Sequence, residues 1–383
     1  MRTGTKAVSI FLVSSLVFLT LGSTLLAKEP YKIGWCGPLS GPAAYMGDVG
    51  KKTVMMMAEQ INSAGGINGH RIEIIAYDSE NKPDTTVTVV NRLIKKDDVL
   101  AIVGPTTSIE AVSALSIVEQ LKTPTVMPAL TSKIVTPIRK YVFKTVISDW
   151  DAAEFNLEYM KSKGLTRIAV ITSQDGYGEA GVEAINTLAP KMGVEVLVQE
   201  KVSPMDNDMT PVVTKVKNSE AKALFEWCHL RPAVILSRNI KQMGLSMPVF
   251  RSMGCVQESF LKDVGDAAEG HLGATFKFMD AEALPDSDPQ KSVILKYQRD
   301  FKAKYNEMPI MFGADAYDAM EIVVMALRKA GQDKEKLRDA IEQTTNFYGA
   351  GGIFNFTPTR HGPDAEKAVV MYRVANGKWT IVK

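Results

Sequence analysis

Val99-Leu100-Ala101-Ile102-Val103, Gly104-Pro105, Thr106-Thr107-Ser108 and the run from Ile109 to Leu121 make one continuous unit of the chain. The five apolar residues have the β-branched character of a short parallel strand covered on both faces. Gly104-Pro105 breaks the strand. Beyond it Ile109, Val112, Leu115, Val118 and Leu121 recur at helical spacing, which puts Thr106-Thr107-Ser108 at a helix N-terminus. Unpaired backbone N–H groups and the positive end of the helix dipole favour an anion at such a place. Thr107 with Glu110 three residues on also reads as a capping box, which needs no ligand.

The same alternation extends in both directions. Before this unit, strands are predicted over 31–35 and 71–77 and helices over 49–63 and 83–95, with Gly65-Gly66 where the first helix should end. After it come strands over 125–127, 167–172, 194–198, 223–227 and 248–250, separated by helices over 155–163, 181–192, 209–218 and 232–243. Strand and helix in alternation mean parallel sheets with helices on both faces. Past Gly273 the pattern changes to a strand over 274–278, a Pro/Asp-rich loop over 284–289 and helices over 293–305, 312–330 and 334–343. Segments 351–356 and 368–382 read as a β-hairpin pair with Asn376-Gly377 as turn.

Sheets of this kind bind ligands beyond the carboxyl ends of their strands. The segments there are 36–45, 106–108, 130–132, 173–177, 228–229 and 252–255, and they carry hydroxyls, small residues and aromatics. That composition suits a cleft for a small polar molecule and contains no evident catalytic set.

Residues 1–27 begin with Arg2 and Lys6, continue as an apolar run and end on small residues. They read as a secretory signal peptide cleaved near Ala27, because the apolar core is short for a span and no second such run follows. The absence of Cys near Gly22-Ser23 argues against lipoprotein acylation. With Arg2 and Lys6 removed from the 45 basic residues, the mature chain balances its 43 acidic ones, and no basic stripe points to nucleic acid or an anionic membrane. The length predicts two lobes. Cys36, Cys228 and Cys255 allow at most one internal disulfide, and pairing of Cys228 with Cys255 is left open. No clustered Cys/His spacing suggests zinc.

The order Pro38-Leu39-Ser40-Gly41-Pro42, Gly47, Glu59-Gln60-Ile61-Asn62, Gly65-Gly66-Ile67-Asn68-Gly69, Asp78, Val103-Gly104-Pro105 and Asp175-Gly176-Tyr177-Gly178 resembles the periplasmic solute-binding proteins of branched-chain amino acid type ABC transporters. Gly265-Asp266-Ala267-Ala268-Glu269-Gly270 and Phe354-Asn355-Phe356 fit as well. The resemblance implies a type I periplasmic binding protein: two α/β lobes, each a mainly parallel sheet flanked by helices, joined by three crossover strands around the ligand. With crossings near 145–149, 275–278 and 352–356, lobe one is 28–147 plus 275–352 and lobe two is 148–274 plus 353–383. The resemblance also implies a monomer in the periplasm that performs no chemistry, with no cofactor, no resident metal, no nucleic acid partner and no direct membrane insertion. Its partners would be a small-molecule carboxylate and the membrane permease of an ABC importer.

By the same resemblance, Thr107, Ser108, Leu130 and Thr131 hold the ligand carboxylate, Tyr45 and Tyr177 close over it from either lobe, and Phe312 flanks its apolar part. Members that bind amino acids place an acid just before the Gly254 position, where this chain has Met253. Glu226 or Asp149 would have to replace it, since a buried ammonium without a counter-charge is costly. Trp227-Cys228-His229 stands where amino acid binders tend to show Gly-Gly-Tyr, so His229 is expected to donate to the ligand, with Trp227, Met253 and Trp150 as apolar walls. These departures favour an aromatic or branched organic acid, with a branched-chain or other amino acid as the alternative. A ligand sensor for a receptor would use the same clamshell.

Two other readings have weaker support. Gly176-Tyr177-Gly178-Glu179-Ala180-Gly181 fits a dinucleotide fingerprint, but Ser173-Gln174-Asp175 separate it from its strand. A metal or redox role for Cys36, Cys228, His229 and Cys255 competes with cysteines as small apolar fillers.

Overall fold

The computed structural model describes residues 28–382 together with Met1 and Gly4; the expected signal peptide and its cleavage position lie outside the described residues. Five parallel strands form the first sheet: β1 (Lys28–Gly37), β2 (His70–Asp78), β3 (Ala101–Val103), β4 (Thr125–Met127) and β5 (Val142–Lys144), in the order β2-β1-β3-β4-β5. Between them run α1 (Ala44–Ser63), α2 (Pro83–Lys95) and α3 (Ser108–Gln120). Successive side chains of a strand point to opposite faces, and here both faces are dry. Ile33, Trp35, Ala101, Val103, Val126 and Phe143 share one core, whereas Cys36, Ile102, Met127 and Val142 pack on α2 and α3 through Val90, Leu93, Ala111 and Leu115.

The second lobe opens with α4 (Asp149–Ser162) and continues through β6 (Arg167–Ser173), α5 (Gly176–Lys191), β7 (Glu195–Val202), α6 (Thr210–Lys217), β8 (Ala223–Trp227), α7 (Leu230–Gln242), β9 (Val249–Arg251), α8 (Glu258–Val264) and β10 (Leu272–Phe276). The chain then returns to the first lobe with α9 (Lys291–Tyr305), α10 (Met311–Ala330) and α11 (Lys334–Glu342), followed by a small ladder of β11 (Phe347–Tyr348) and β12 (Ile353–Phe354). It ends with α12 (Ala365–Ala368), β13 (Val369–Ala375) and β14 (Lys378–Ile381). The second sheet has the order β14-β13-β10-β9-β8-β6-β7, with β13 and β14 antiparallel at one edge. Asn376 and Gly377 both take positive φ, the geometry that a two-residue hairpin turn requires.

Several element boundaries differ from the sequence reading for identifiable reasons. Helix α5 begins at Gly176 because the Asp175 carboxylate accepts from the N–H groups of Tyr177 and Gly178, at 3.0 and 2.9 Å, and so caps an earlier turn. Ser148 and Asp151 form a capping box that likewise starts α4 at Asp149, six residues before the apolar periodicity becomes visible. Strand β5 carries no clear sequence signal, being three residues long and ending in a lysine.

The lobe boundaries also shift. Thr275 and Phe276 belong to β10 in the second sheet, so the chain leaves that lobe through the 3₁₀ turn Lys277–Ala283. Segment 353–361, assigned from sequence to lobe two, packs on lobe one. Phe354 and Phe356 fill the core with Tyr31, Trp35 and Phe143, the His361 ring stacks on Phe143 at 4.2 Å, and the His361 carbonyl accepts from Lys144 N–H. Large aromatics are held where they bury most surface, so the last crossing comes after His361. Segment 351–356 accordingly pairs with β11 and not with the terminal hairpin.

Candidate functional site

Strand β3 delivers the chain into Gly104, whose φ of 112° brings it so close to β1 that a Cβ would lie 2.1 Å from the Cys36 carbonyl oxygen. Only glycine permits that approach, and it aims the next residues at the start of α3. Thr107 there is the cap. Its N–H donates to Glu110 Oε2 at 3.2 Å, and its hydroxyl lies 2.8 Å from both that oxygen and Asn81 Oδ1. Glu110 is itself buried and held by the Ser79 hydroxyl. The Ser108 hydroxyl, one residue on, makes no hydrogen bond among the described residues. The capping reading therefore applies to Thr107 and leaves Ser108 available, a distinction that the sequence could not make.

On the neighbouring strand β4, the loop Leu130-Thr131-Ser132 is anchored from beneath. Lys144 Nζ donates to the carbonyls of Leu130, Thr131 and Ile147, the latter two at 3.1 and 3.4 Å. Asp149 Oδ1 accepts from Ser132 N–H at 3.0 Å. Asp149 thus ties the loop to α4 and, at 2% exposure, is closed off from a ligand ammonium.

Tyr45, at the start of α1, keeps 40% of its surface exposed and meets Phe312 edge-on at 5.8 Å. Its surroundings push its phenol up to about 12: partial burial raises it most, the nearby Cys255 adds to this and the nearby Gln257 opposes it. Cys255 and Gln257 belong to the second lobe, so Tyr45 reaches across the cleft. Helices α3 and α5 also approach each other there.

The second-lobe wall is a stack. Tyr177 lies on His229 with ring centroids 4.5 Å apart, and its hydroxyl accepts from Gly254 N–H at 3.3 Å. Burial lowers the His229 pKa, with Asp175 acting in the opposite sense, yet the side chain stays 56% exposed. A side chain crowded by protein on most sides but open on one is what a cleft wall presents. His229 Nε2 sits 3.9 Å from Asp175 Oδ2.

Two expected walls are corrected. Trp227 is 0% exposed beneath α5, where a Cβ on Gly181 would come within 2.4 Å of the indole; it is core, buried by the same close helix approach that the glycine allows. Met253 is 2% exposed and packs in the core below Tyr177. Trp150 remains half-buried at the start of α4. Glu226 is also unavailable. It is fully buried, with Oε2 3.2 Å from Arg251 Nη1, while Arg251 also donates to Ser237 Oγ at 2.6 Å and to His271 Nδ1. Burial pushes the Glu226 carboxyl up and the Arg251 guanidinium draws it back.

The sequence reading missed Lys144 and Arg251. Each is a lone cation ending a three-residue buried strand, in Val142-Phe143-Lys144 and Val249-Phe250-Arg251, and that interruption of an apolar run was the available signal.

The fingerprint-like glycines of α5 do not form a phosphate cradle, because Asp175 occupies the helix N-terminus where a pyrophosphate would need free donors. Among the described residues, no group of three or more His, Cys, Asp or Glu side chains converges to hold a metal. Cys36, Cys228 and Cys255 are unpaired and buried, with Cys255 Sγ 3.3 Å from the Cys228 carbonyl. No described helix is long and apolar enough to cross a membrane. Two surface hollows, of about 500 and 440 Å³, lie away from the cleft, between α1 and α9 and beside the start of β1.

Two parallel-sheet lobes, with hydroxyls and helix N-termini facing a tyrosine-histidine wall, define a two-lobed solute-binding protein. The profile of the periplasmic binding protein family matches residues 30–378, and the chain belongs to that family. It is 28% identical to a leucine-, isoleucine-, valine-, threonine- and alanine-binding protein of Pseudomonas aeruginosa, over 97% of this chain and the whole of the relative. A Leu/Ile/Val-binding protein homologue of Brucella melitensis is 28% identical over 91% of this chain and 93% of its own. Among solved structures, an extracellular ligand-binding receptor from Rhodopseudomonas palustris superposes with a TM-score of 0.85 at 26% identity, covering 92% of this chain and 99% of the other. A branched-chain amino acid transporter substrate-binding protein from Streptococcus pneumoniae, solved with isoleucine, shares the fold with a TM-score of 0.79 at 22% identity, covering 92% and 99%.

Proposed function

We propose that the chain captures an aliphatic α-amino acid between its lobes and presents it to the membrane permease of an ABC importer, working in the periplasm after removal of a leader over 1–27. The observation that carries this reading is the near full-length similarity to binding proteins named for leucine, isoleucine and valine. The site supports it. The free Ser108 hydroxyl, the first N–H groups of α3 and Thr131 N–H offer donors to a carboxylate on lobe one. Asp175 Oδ2, which makes no hydrogen bond among the described residues, faces His229 on lobe two and takes the ammonium. Tyr45 and Phe312 cover the aliphatic part. The ligand docks on lobe one, and closure brings Tyr177 and His229 over it.

A second reading, an aromatic or branched organic acid without an amine, is favoured by one observation. The carboxylate best placed by sequence to replace the acid missing at Met253 is Glu226, and Glu226 is already paired with Arg251.

Thermal unfolding of protein stripped by denaturation and refolding separates the two. A ligand at about 100 times its dissociation constant adds about 2.7 kcal/mol, a shift of several degrees. Leucine, isoleucine or valine is expected to raise the midpoint most, 4-methyl-2-oxopentanoate at the same concentration to raise it clearly less, and benzoate and 4-hydroxybenzoate to leave it unchanged. A shift with the acids alone transfers the assignment to the second reading. No shift with any of them contradicts both.

A further inference from the structure

Lys144 is 1% exposed, yet among the described residues no carboxylate lies within ion-pair distance of it. Its ammonium is held only by the carbonyls of Leu130, Thr131 and Ile147. Taking a cation out of water without a contacting counter-charge is costly, and three carbonyl dipoles offset that cost only in part. The other charges facing it are Asp149 and Asp151, both on α4, and Asp149 already accepts from Ser132 N–H. From the segment 361–362 it meets backbone and Gly362, with the His361 ring turned onto Phe143. A negative charge in contact is missing from this arrangement.

The peptide between Leu130 and Thr131 shows where that charge can act. Its carbonyl points at Lys144, and the bond is trans, so Thr131 N–H points the opposite way, and it finds no acceptor among the described residues. A cation on the carbonyl end polarises the peptide and makes the N–H at the other end a stronger donor. Lys144 also grips Ile147 in the first crossover, which joins the loop to the segment between the lobes.

We propose that Lys144 is a positioning residue for the carboxylate seat: without touching the ligand, it strengthens the Thr131 N–H donor through the Leu130–Thr131 peptide and fixes that loop to the crossover. This rests on the reading that the ligand carboxylate docks at Ser108 and Thr131. Leucine follows as the probe because it carries that carboxylate.

The test is calorimetric titration of leucine into the wild type, Lys144→Met and Lys144→Arg at pH 7 and pH 9, with urea unfolding of each to establish that it folds. Burial lowers the Lys144 pKa to about 8, with Asp149 and Asp151 opposing, so its charge is present at pH 7 and largely gone at pH 9. Lys144→Met is expected to bind about tenfold more weakly or worse at pH 7, and Lys144→Arg within about threefold of wild type. Between pH 7 and 9 the wild type is expected to lose more affinity than Lys144→Arg, whose guanidinium stays charged; the titration of leucine itself is common to both. Equal binding by Lys144→Met, or Lys144→Arg as weak as Lys144→Met, overturns the assignment. Should Lys144→Met not fold, parallel pH profiles for wild type and Lys144→Arg overturn it instead. A wild type that fails to bind leucine refutes the amino acid reading and is recognised separately from these outcomes.

Discussion

Ser108→Asp is expected to weaken ligand capture by roughly hundredfold or more while leaving the folded chain at least as stable. The Ser108 hydroxyl is left free in the first turn of α3, with the buried Thr106 hydroxyl also unpartnered among the described residues, and a carboxylate at position 108 would occupy the place proposed for the ligand's own. The unpaired N–H groups and helix dipole would be satisfied internally, and like charges would repel the ligand. An acid in the first turn of a helix is favourable by a few tenths of a kcal/mol to about 1 kcal/mol, so lost affinity could not be ascribed to unfolding. Ser108→Ala removes one charge-assisted hydrogen bond and is expected to cost about tenfold. Thr107→Ala serves as the contrast. It removes the cap held to Glu110 and Asn81, at about 1 kcal/mol of stability, and should leave affinity nearly unchanged. Calorimetric titration with leucine and urea unfolding of the three variants would show whether affinity and stability separate in this way.

Arg251→Met carries the largest expected effect on stability. Removing the guanidinium leaves Glu226 fully buried without its ion pair and deprives Ser237 Oγ and His271 Nδ1 of their donor. Breaking a buried pair from one side costs about 3–5 kcal/mol, because the remaining charge stays buried and uncompensated. Urea unfolding should register that loss. The double variant Arg251→Met with Glu226→Gln should recover most of it, since no uncompensated charge is then left at that place in the core. If the double variant were as unstable as the single one, the cost would lie in packing against Phe260, over whose ring the guanidinium sits at 5.3 Å.

The alternation of strand and helix was readable because parallel strands buried on both faces show as continuous apolar runs such as Ala101-Ile102-Val103 and Ile168-Ala169-Val170-Ile171. Helix starts were read too late wherever a polar cap, Ser148 or Asp175, begins the helix ahead of its apolar stripe. The last crossing was placed too early because Phe354 and Phe356 are apolar in either lobe, and only packing on Phe143 decides between them. At the site, strand ends identified the right loops, but the identity of a residue does not reveal which way it faces. Trp227 and His229 lie two apart at one strand end, and one is sealed under α5 while the other is open to the cleft. Ser108 and Thr107 are both hydroxyls at one helix N-terminus, and only the position of Asn81, brought from another loop, shows which is already engaged. Glu226 was a reasonable partner for an ammonium until Arg251, on the next strand, accounted for it.

The most direct test of amino acid capture between the lobes is calorimetric titration of the stripped wild type with leucine and with 4-methyl-2-oxopentanoate, which share a carbon skeleton and differ at the amine. The account predicts one leucine bound per chain and the oxo acid weaker by tenfold or more, about 1.4 kcal/mol for the ammonium contact. Equal or tighter binding of the oxo acid would contradict ammonium recognition at Asp175, and absence of binding by either would contradict the assignment of the cleft itself.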